Sequence, residues 1–403
     1  MAVVARLAAT AAVGFTTVRF ADAPAYLVGA RALAETGHYP RRTEEFLFRP
    51  PGYPAFLVAA TLGHPDRIAA AKAANAVLGA LAALLIAALA ARLFRRRPVA
   101  IVAGLLAAFH PPFLLAGADL QSEPLFLVLL LCAGYLLLAS TDRPSSNLAV
   151  FAGVFLALAA LTRSSALVLA PLLLAPLWDR RHPRRAGAHV AFSALLGFGA
   201  ALAPWTARNA LEFRELILVN DGAGYLFYGR NSEAAIGLAT AESREDLEKA
   251  SAALERERRD QIAALPAEVR LSPGRLSRAL FSAALAERRA NPEGTFRLLA
   301  WKSWDWLRPY PDPRFWPLPA VVILGLYFTA LSACAVVGLA KAERRGARAF
   351  CLLFLALTML LHVTLETSWR YRSVYWDPVL LLYASSVAAA LLRRRTSPPL
   401  ALP

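Results

Sequence analysis

Three carboxylates and at least five arginines stand where apolar runs of this chain stop. Asp22 follows an apolar stretch in VRFADAPAYL, and Asp119 and Glu123 lie in GADLQSEPLF. Arg49 precedes two prolines in FRPPGYPAFL, Arg163 interrupts ALTRSSAL, Arg208 ends APWTARN, and Arg370 and Arg372 form SWRYR. Ionisable groups at membrane depth are expensive and mark functional sites. Carboxylates suit proton abstraction or a divalent cation, and guanidinium groups grip phosphate with fixed, paired donors. A site holding both could retain a phosphate leaving group while deprotonating a nucleophile.

Each residue also has a structural alternative. Asp22 can cap a helix over 22–37 that ends at Gly37. Glu123, ahead of Pro124, can serve as a cap or as a partner for a helix dipole. Asp119 can pair with an arginine, Arg49 can snorkel, and RYR can anchor an interface. The histidines show no ligand spacing, and His110 before PPF reads as structural. The Gly- and Asn-containing stretch NDGAGYLFYGRNSEAAIG reads as a set of turns. Cys132, Cys334 and Cys351 lie in apolar runs without CxxC spacing, so neither a disulfide framework nor a zinc site is implied.

The elements that must position these residues belong to a polytopic, all-α membrane protein. Of 403 residues 58% are hydrophobic and only 18% charged, more apolar surface than one soluble core can bury. The formal charge of +16 does not point to nucleic acid, because the arginines are bunched between apolar runs, in ARLFRRRP, DRRHPRR, KAERRGAR and LLRRRTSPP. That is the marking of cytoplasmic loops. The sequence predicts about ten spans: 3–20, 68–94, 98–116, 123–140, 148–162, 164–178, 188–206, 316–340, 349–366 and 378–392. The stretch 147–178 would measure about 48 Å as one helix, against a hydrocarbon core of about 30 Å. A break at Arg163 is therefore expected.

With the N-terminus inside, every arginine bunch falls in the cytoplasm. The first outer loop (21–67), the turns near 112–122, 163 and 367–377, and a large loop at 207–315 between the seventh and eighth helices then face outward. The chain thus divides into three regions: an N-terminal transmembrane core at 1–206, an outer helical loop at 207–315, and C-terminal spans with a short tail at 316–403. Residues 240–290 are charged with apolar positions at helical spacing, as in interfacial or water-facing helices. The first span can alternatively be read as a signal peptide, whose cleavage after Ala23 or Ala25 would remove Asp22. The cytoplasmic loops are too short to house a nucleotide-binding domain, and no GxxxxGK[ST] or strand-borne GxGxxG occurs.

In order along the chain, DAPAYLVGARALAETGHYP, FRPPGYPAFL, LQSEPLFL, ALTRSSAL, APWTARN and SWRYR resemble the bacterial glycosyltransferases of the GT-C fold. The similar branch is the protein O-mannosyltransferase-like and aminoarabinose-transferase-like group, over residues 20–380. The resemblance implies an inverting transferase that takes a sugar from a polyprenyl-phosphate donor to a hydroxyl of a lipid, glycan or protein acceptor. It implies a multi-pass protein of the bacterial inner membrane with its active site toward the periplasm. Asp22 matches the essential acidic residue of the first outer loop, as general base. Arg208, Arg370 and Arg372, with Arg49 and Arg163 behind them, match the basic residues that hold the lipid phosphate. If a divalent metal ion binds, Glu123 or Asp119 is the implied ligand. The chain departs from many relatives in having Asp22-Ala23 where they carry an Asp-Glu pair, and Thr162-Arg163-Ser164 in place of Thr-Arg-Pro. The rival readings are a transporter or flippase of a lipid-linked sugar, and a catalytically inactive scaffold that binds a partner. A flippase would need charged groups in mid-span, which the sequence does not show.

Overall fold

The computed structural model describes residues 1–40, 49–179, 181 and 183–396, with side chains as far as Leu392. Part of the first outer loop (41–48), Arg180 and His182 of DRRHPRR, and the arginine side chains and tail of LLRRRTSPP lie outside the described residues. Among those described there is no β-strand. The N-terminal part comprises α1 (Ala2–Val13), α2 (Ala23–Thr36), α3 (Gly52–Ala60), α4 (Ile68–Phe94), α5 (Arg97–Ala108), α6 (Pro111–Gly117), α7 (Glu123–Asp142) and α8 (Ser146–Thr162). A 3₁₀ segment (Ser164–Trp178) leads to α9 (Arg184–Phe213). Six further helices come next: α10 (Gly222–Asn231), α11 (Glu233–Thr240), α12 (Arg244–Ala263), α13 (Ala267–Arg270), α14 (Pro273–Ala290) and α15 (Pro292–Leu307). The chain closes with α16 (Leu318–Ala340), α17 (Arg345–Thr364) and α18 (Trp369–Thr396).

Nine of the ten apolar segments lie on helical structure over most of their length, and the first is helical only as far as Val13. Among the described residues six helices (α4, α7, α9, α16, α17 and α18) are long and apolar enough to cross a membrane, against about ten expected spans, and α5 with α6 makes a seventh if the pair, bent by 51°, is one span. The bend leaves carbonyls at the end of α5 without helical partners. Arg6 of α1 supplies donors, reaching Ala108 O at 3.1 Å and Ala107 O at 3.2 Å. Such replacement keeps a broken helix tolerable in an apolar bundle. The expected first span is shortened, because α1 ends at Gly14, whose φ of +101° turns the chain away.

The break at Arg163 is present, and the segment after it is 3₁₀ rather than α. At a rise of about 2.0 Å per residue, fifteen residues in that form reach about 30 Å, where an α-helix would reach only about 22 Å. Pro171 and Pro176 lie inside this segment and each lacks a backbone donor. Next to it, α8 and α9 approach so closely that a Cβ on Gly153 would come within 1.9 Å of Ala194 O, and one on Gly197 within 2.1 Å of Val150 O. Small residues at such a crossing let backbones meet directly.

The core is formed mainly by α4, α5, α7, α8, the 3₁₀ segment, α16 and α18, through Ile86, Phe126, Leu156, Leu169, Phe328 and Tyr375 among others. Three of the arginine bunches converge on one carboxylate. Asp142, at the end of α7, is 3.1 Å from Arg92 and 2.9 Å from Arg181, and also pairs with Arg344. The loops expected on one side of the membrane thus share one end of the bundle. NDGAGYLFYGRN departs from expectation: instead of turns it contains the whole of α10. Phe227 and Tyr228 bury against Leu276 and Leu280 of α14, and Gly224 lies where a Cβ would meet Ser277 O at 1.7 Å. Its glycine serves helix contact.

Candidate active site

At the bundle end opposite Asp142, a small satellite core of Ala23, Tyr26, Tyr53, Leu57 and Leu120 fixes α2 and α3 against α4 and the start of α7. Asn75 of α4 ties the two loops together, donating to Tyr53 Oη and to Asp119 O, both at 2.9 Å. Asp22 does occupy the N-cap of α2, but its side chain makes no capping hydrogen bond. Its Oδ1 accepts from Arg49 Nη2 at 2.6 Å, and its Oδ2 lies 3.4 Å from Arg370 Nη2.

Glu123, in the first turn of α7, is treated in the same way. Its Oε1 lies 2.9 Å from Arg163 Nη1 and 3.0 Å from Arg370 Nε. Arg370 therefore bridges two carboxylates from two different loops. The Glu123 side chain is 1% exposed, whereas that of Asp22 is 21% exposed. The first is a buried anchor and the second is partly open to solvent. Tyr26, one turn beyond Asp22, shares a 3.1 Å hydrogen bond with Ser122 Oγ, which also accepts from Arg163 Nη1 at 3.1 Å. The Arg163 and Arg370 guanidinium groups each lie 4.8 Å from the centre of the Tyr371 ring.

Of the residues singled out in the sequence, five thus meet: Asp22, Arg49, Glu123, Arg163 and Arg370. Three stand apart from that contact network. Asp119 accepts from the backbone N–H groups of Arg19 (2.9 Å) and Leu120 (2.7 Å) and lies 3.6 Å from Lys72 Nζ. Arg208 donates to Tyr39 O at 2.9 Å, and Tyr39 Oη donates to Arg49 O, so Arg208 is linked to the cluster through one intervening residue. Arg372 is buried beside Asp377 at 3.6 Å and donates to Arg308 O at 2.8 Å. Asp377 in turn receives His110 Nε2 at 2.8 Å, which gives His110 a partner that its PPF context did not reveal.

Tyr26, Tyr371 and Glu366 are site residues that the sequence motifs do not single out. Tyr26 was visible in principle, standing four residues after Asp22 on the same helix face. Glu366 accepts from Tyr371 Oη at 3.1 Å and pairs with Arg230 of α10 at 2.5 Å, joining the cluster to the helical segment 222–307.

Beyond Arg370 lies a cavity of about 470 Å³ between α11, α15, the approach to α16 and the start of α18. Lys302 stands in its wall, donating to Asn231 Oδ1 at 2.8 Å and Leu365 O at 3.2 Å. Burial brings its ammonium down from the usual 10.5 to about 7, with Arg230 adding to the fall and Glu366 opposing it. Between those two values the unfolded chain holds a proton that the folded chain has released, so stability rises with pH across the window. Lys302→Met is expected to flatten that rise, measured by thermal unfolding of the detergent-solubilised protein from about pH 7 to about pH 10. An unchanged slope would assign it to other groups.

A divalent ion at Glu123 or Asp119 does not fit these surroundings. Glu123 faces two guanidinium groups, and the Asp119 carboxylate is taken up by two backbone donors and faces an ammonium. Among the described residues no three His, Cys, Asp or Glu side chains come together as a metal site.

The described residues form an apolar helical bundle of a multi-pass membrane protein, with a helical segment between α9 and α16 and an acid–arginine cluster at one end, a fold shared with two solved oligosaccharyltransferase structures. The family model for dolichyl-phosphate-mannose-protein mannosyltransferases matches residues 49–205. The oligosaccharyltransferase of Archaeoglobus fulgidus, in a crystal structure with zinc and sulfate, superposes with a TM-score of 0.60 at 14% identity, over 98% of this chain and 49% of its own. The same organism's AglB, in complex with an inhibitory peptide and a dolichol-phosphate, gives a TM-score of 0.57 at 13% identity, over 98% of this chain and 50% of its own. The chain thus spans about half the length of the oligosaccharyltransferases it matches. No curated protein sequence matches it.

Proposed function

We propose that the protein is an inverting glycosyltransferase of the bacterial inner membrane, using a polyprenyl-phosphate-linked sugar at a site facing the periplasm. The observation that carries this reading is the charge of the cluster. Three guanidinium groups (Arg49, Arg163, Arg370) meet two carboxylates (Asp22, Glu123), leaving one positive charge over. A sugar phosphodiester carries one negative charge. The dolichol-phosphate held by AglB belongs to the same chemical class as the lipid phosphate that leaves in the reaction proposed here. The arginine bunches around Asp142 favour that end as cytoplasmic, which leaves Asp22 outside. The organisation that accompanies this reading is a membrane core from residues 1–206 and 316–403 enclosing an exterior helical loop at 207–315.

In the proposed reaction Asp22 takes the proton of an acceptor hydroxyl as its oxygen bonds to the anomeric carbon. The bond from that carbon to the phosphate oxygen breaks, and its electron pair leaves with the lipid phosphate. Arg49 and Arg370, which already touch Asp22, and Arg163 behind them hold the departing charge. Arg208 supports Arg49 through Tyr39, and Arg372 acts as a positioning residue for the start of α18. Glu123 serves as the counter-charge of Arg163 and Arg370 through its Oε1.

The test is mass analysis of cell-envelope lipids and glycans in a strain lacking the protein. Loss of one sugar from a lipid, glycan or protein acceptor is expected and identifies that acceptor. Accumulation of the donor in the inner leaflet would overturn the reading in favour of a flippase.

A further inference from the structure

We infer that the cavity beyond Arg370 is a binding chamber for a neutral saccharide, one or two sugar rings in size; this deepens the transferase reading and rests on it. The volume of about 470 Å³ lies in the range of small-ligand sites, about 300–1,000 Å³. Its composition is what distinguishes it. Trp301, Trp316 and Trp369 all line it, and Trp316 and Trp369 meet edge to face at 5.9 Å between ring centres. Indole faces present flat apolar surface with a polar edge, which suits the C–H face of a pyranose flanked by hydroxyls.

The charged groups in the wall argue against an anion as occupant. Arg308 is 2.6 Å from Asp305 and 3.4 Å from Asp312, Arg314 is 2.6 Å from Asp312, and Arg230 is taken by Glu366. Of the other two cations in the wall, Arg370 is paired with Asp22 and Glu123, and Lys302 donates to Asn231 and Leu365, so every cation there already has a partner and the wall offers paired donors and acceptors. That pattern reads hydroxyl groups, each of which both donates and accepts. Arg370 lies in the wall and also touches Asp22, so a sugar here adjoins the proposed reaction centre.

Two sources share this chemistry, the sugar of the donor and the saccharide of an acceptor. The experiment is a titration of tryptophan fluorescence in the purified full chain in detergent, using free neutral hexoses and hexose disaccharides, with inorganic phosphate as the anionic control. Saturable quenching by at least one sugar is expected, phosphate giving no such signal, and Trp316→Ala weakening the sugar about tenfold or more. Competition by the polyprenyl-phosphate donor would assign the chamber to the donor sugar; simultaneous binding would assign it to the acceptor. Absence of sugar binding in the wild type, displacement of sugar by phosphate, or an unchanged affinity in Trp316→Ala would overturn the inference. The Asp22→Asn variant separates the two levels. Wild-type transfer that Asp22→Asn abolishes, together with no sugar binding, leaves the transferase standing and the chamber refuted. Saturable sugar binding without transfer in the wild type refutes the transferase alone.

Discussion

Asp22→Asn is expected to lower the rate of sugar transfer by about 10²- to 10⁴-fold, the usual contribution of a positioned general base. Asparagine keeps the volume of the side chain and an oxygen for Arg49, so the loop should keep its place. It cannot accept the proton of the acceptor hydroxyl. Donor affinity should not fall, since the arginines that hold the phosphate are untouched and one negative charge beside them is gone. The pair of measurements is a single-turnover transfer assay and equilibrium donor binding on the same detergent preparation. A variant that transfers at the normal rate removes Asp22 from the role of base. One that loses binding and rate together makes it a structural partner of Arg49 and Arg370.

The second large effect is on stability. Glu123→Ala should destabilise the protein by about 3–5 kcal/mol, the range for removing one partner of a buried ion pair. Its Oε1 stands between Arg163 and Arg370, and its side chain is 1% exposed. Without it two guanidinium groups remain close together with no counter-charge between them. Thermal unfolding in detergent measures the loss, and a second substitution makes the assignment specific. Arg163→Met added to Glu123→Ala should recover part of the stability, because it removes one of the stranded cations. If the two losses simply add, Glu123 owes its burial to packing and not to charge.

The resemblance in the sequence led to the fold and to five residues that meet in the cluster, but not to its wiring, to Tyr26, Tyr371 and Glu366, or to the separate places of Asp119, Arg208 and Arg372. The need for a break followed from length, since one uninterrupted helix would overshoot the apolar layer, and its place from Arg163 and two serines at the centre of the stretch. The 3₁₀ form of the next segment was not legible, because its apolar composition is compatible with α and 3₁₀ alike. Arg370 and Arg372 were assigned one role, although two residues on a helix differ by about 200° in direction. That spacing alone separates them, and the structure turns Arg372 toward Asp377 while Arg370 meets Asp22. Asp119 and Glu123 looked equivalent as carboxylates in one loop. Which would meet arginines and which would be consumed by backbone donors depends on how the loop folds over α4, a tertiary matter. The tryptophan-lined chamber draws residues from distant parts of the chain and has no local signature.

The three-to-two ratio of guanidinium to carboxylate has a consequence for the whole turnover under the proposed reaction. Before transfer, one surplus positive charge meets a phosphodiester with one negative charge. Afterwards the leaving lipid phosphate is a monoester, carrying about −1.5 to −2 near pH 7. By then Asp22 holds the acceptor's proton and is neutral, so the same three arginines face a single carboxylate and the surplus has grown to two. Host and guest therefore change charge together, and the cluster stays near neutrality on both sides of the reaction. What resets the enzyme is the loss of that proton from Asp22, which leaves the departing phosphate over-charged for its site and eases it back into the membrane.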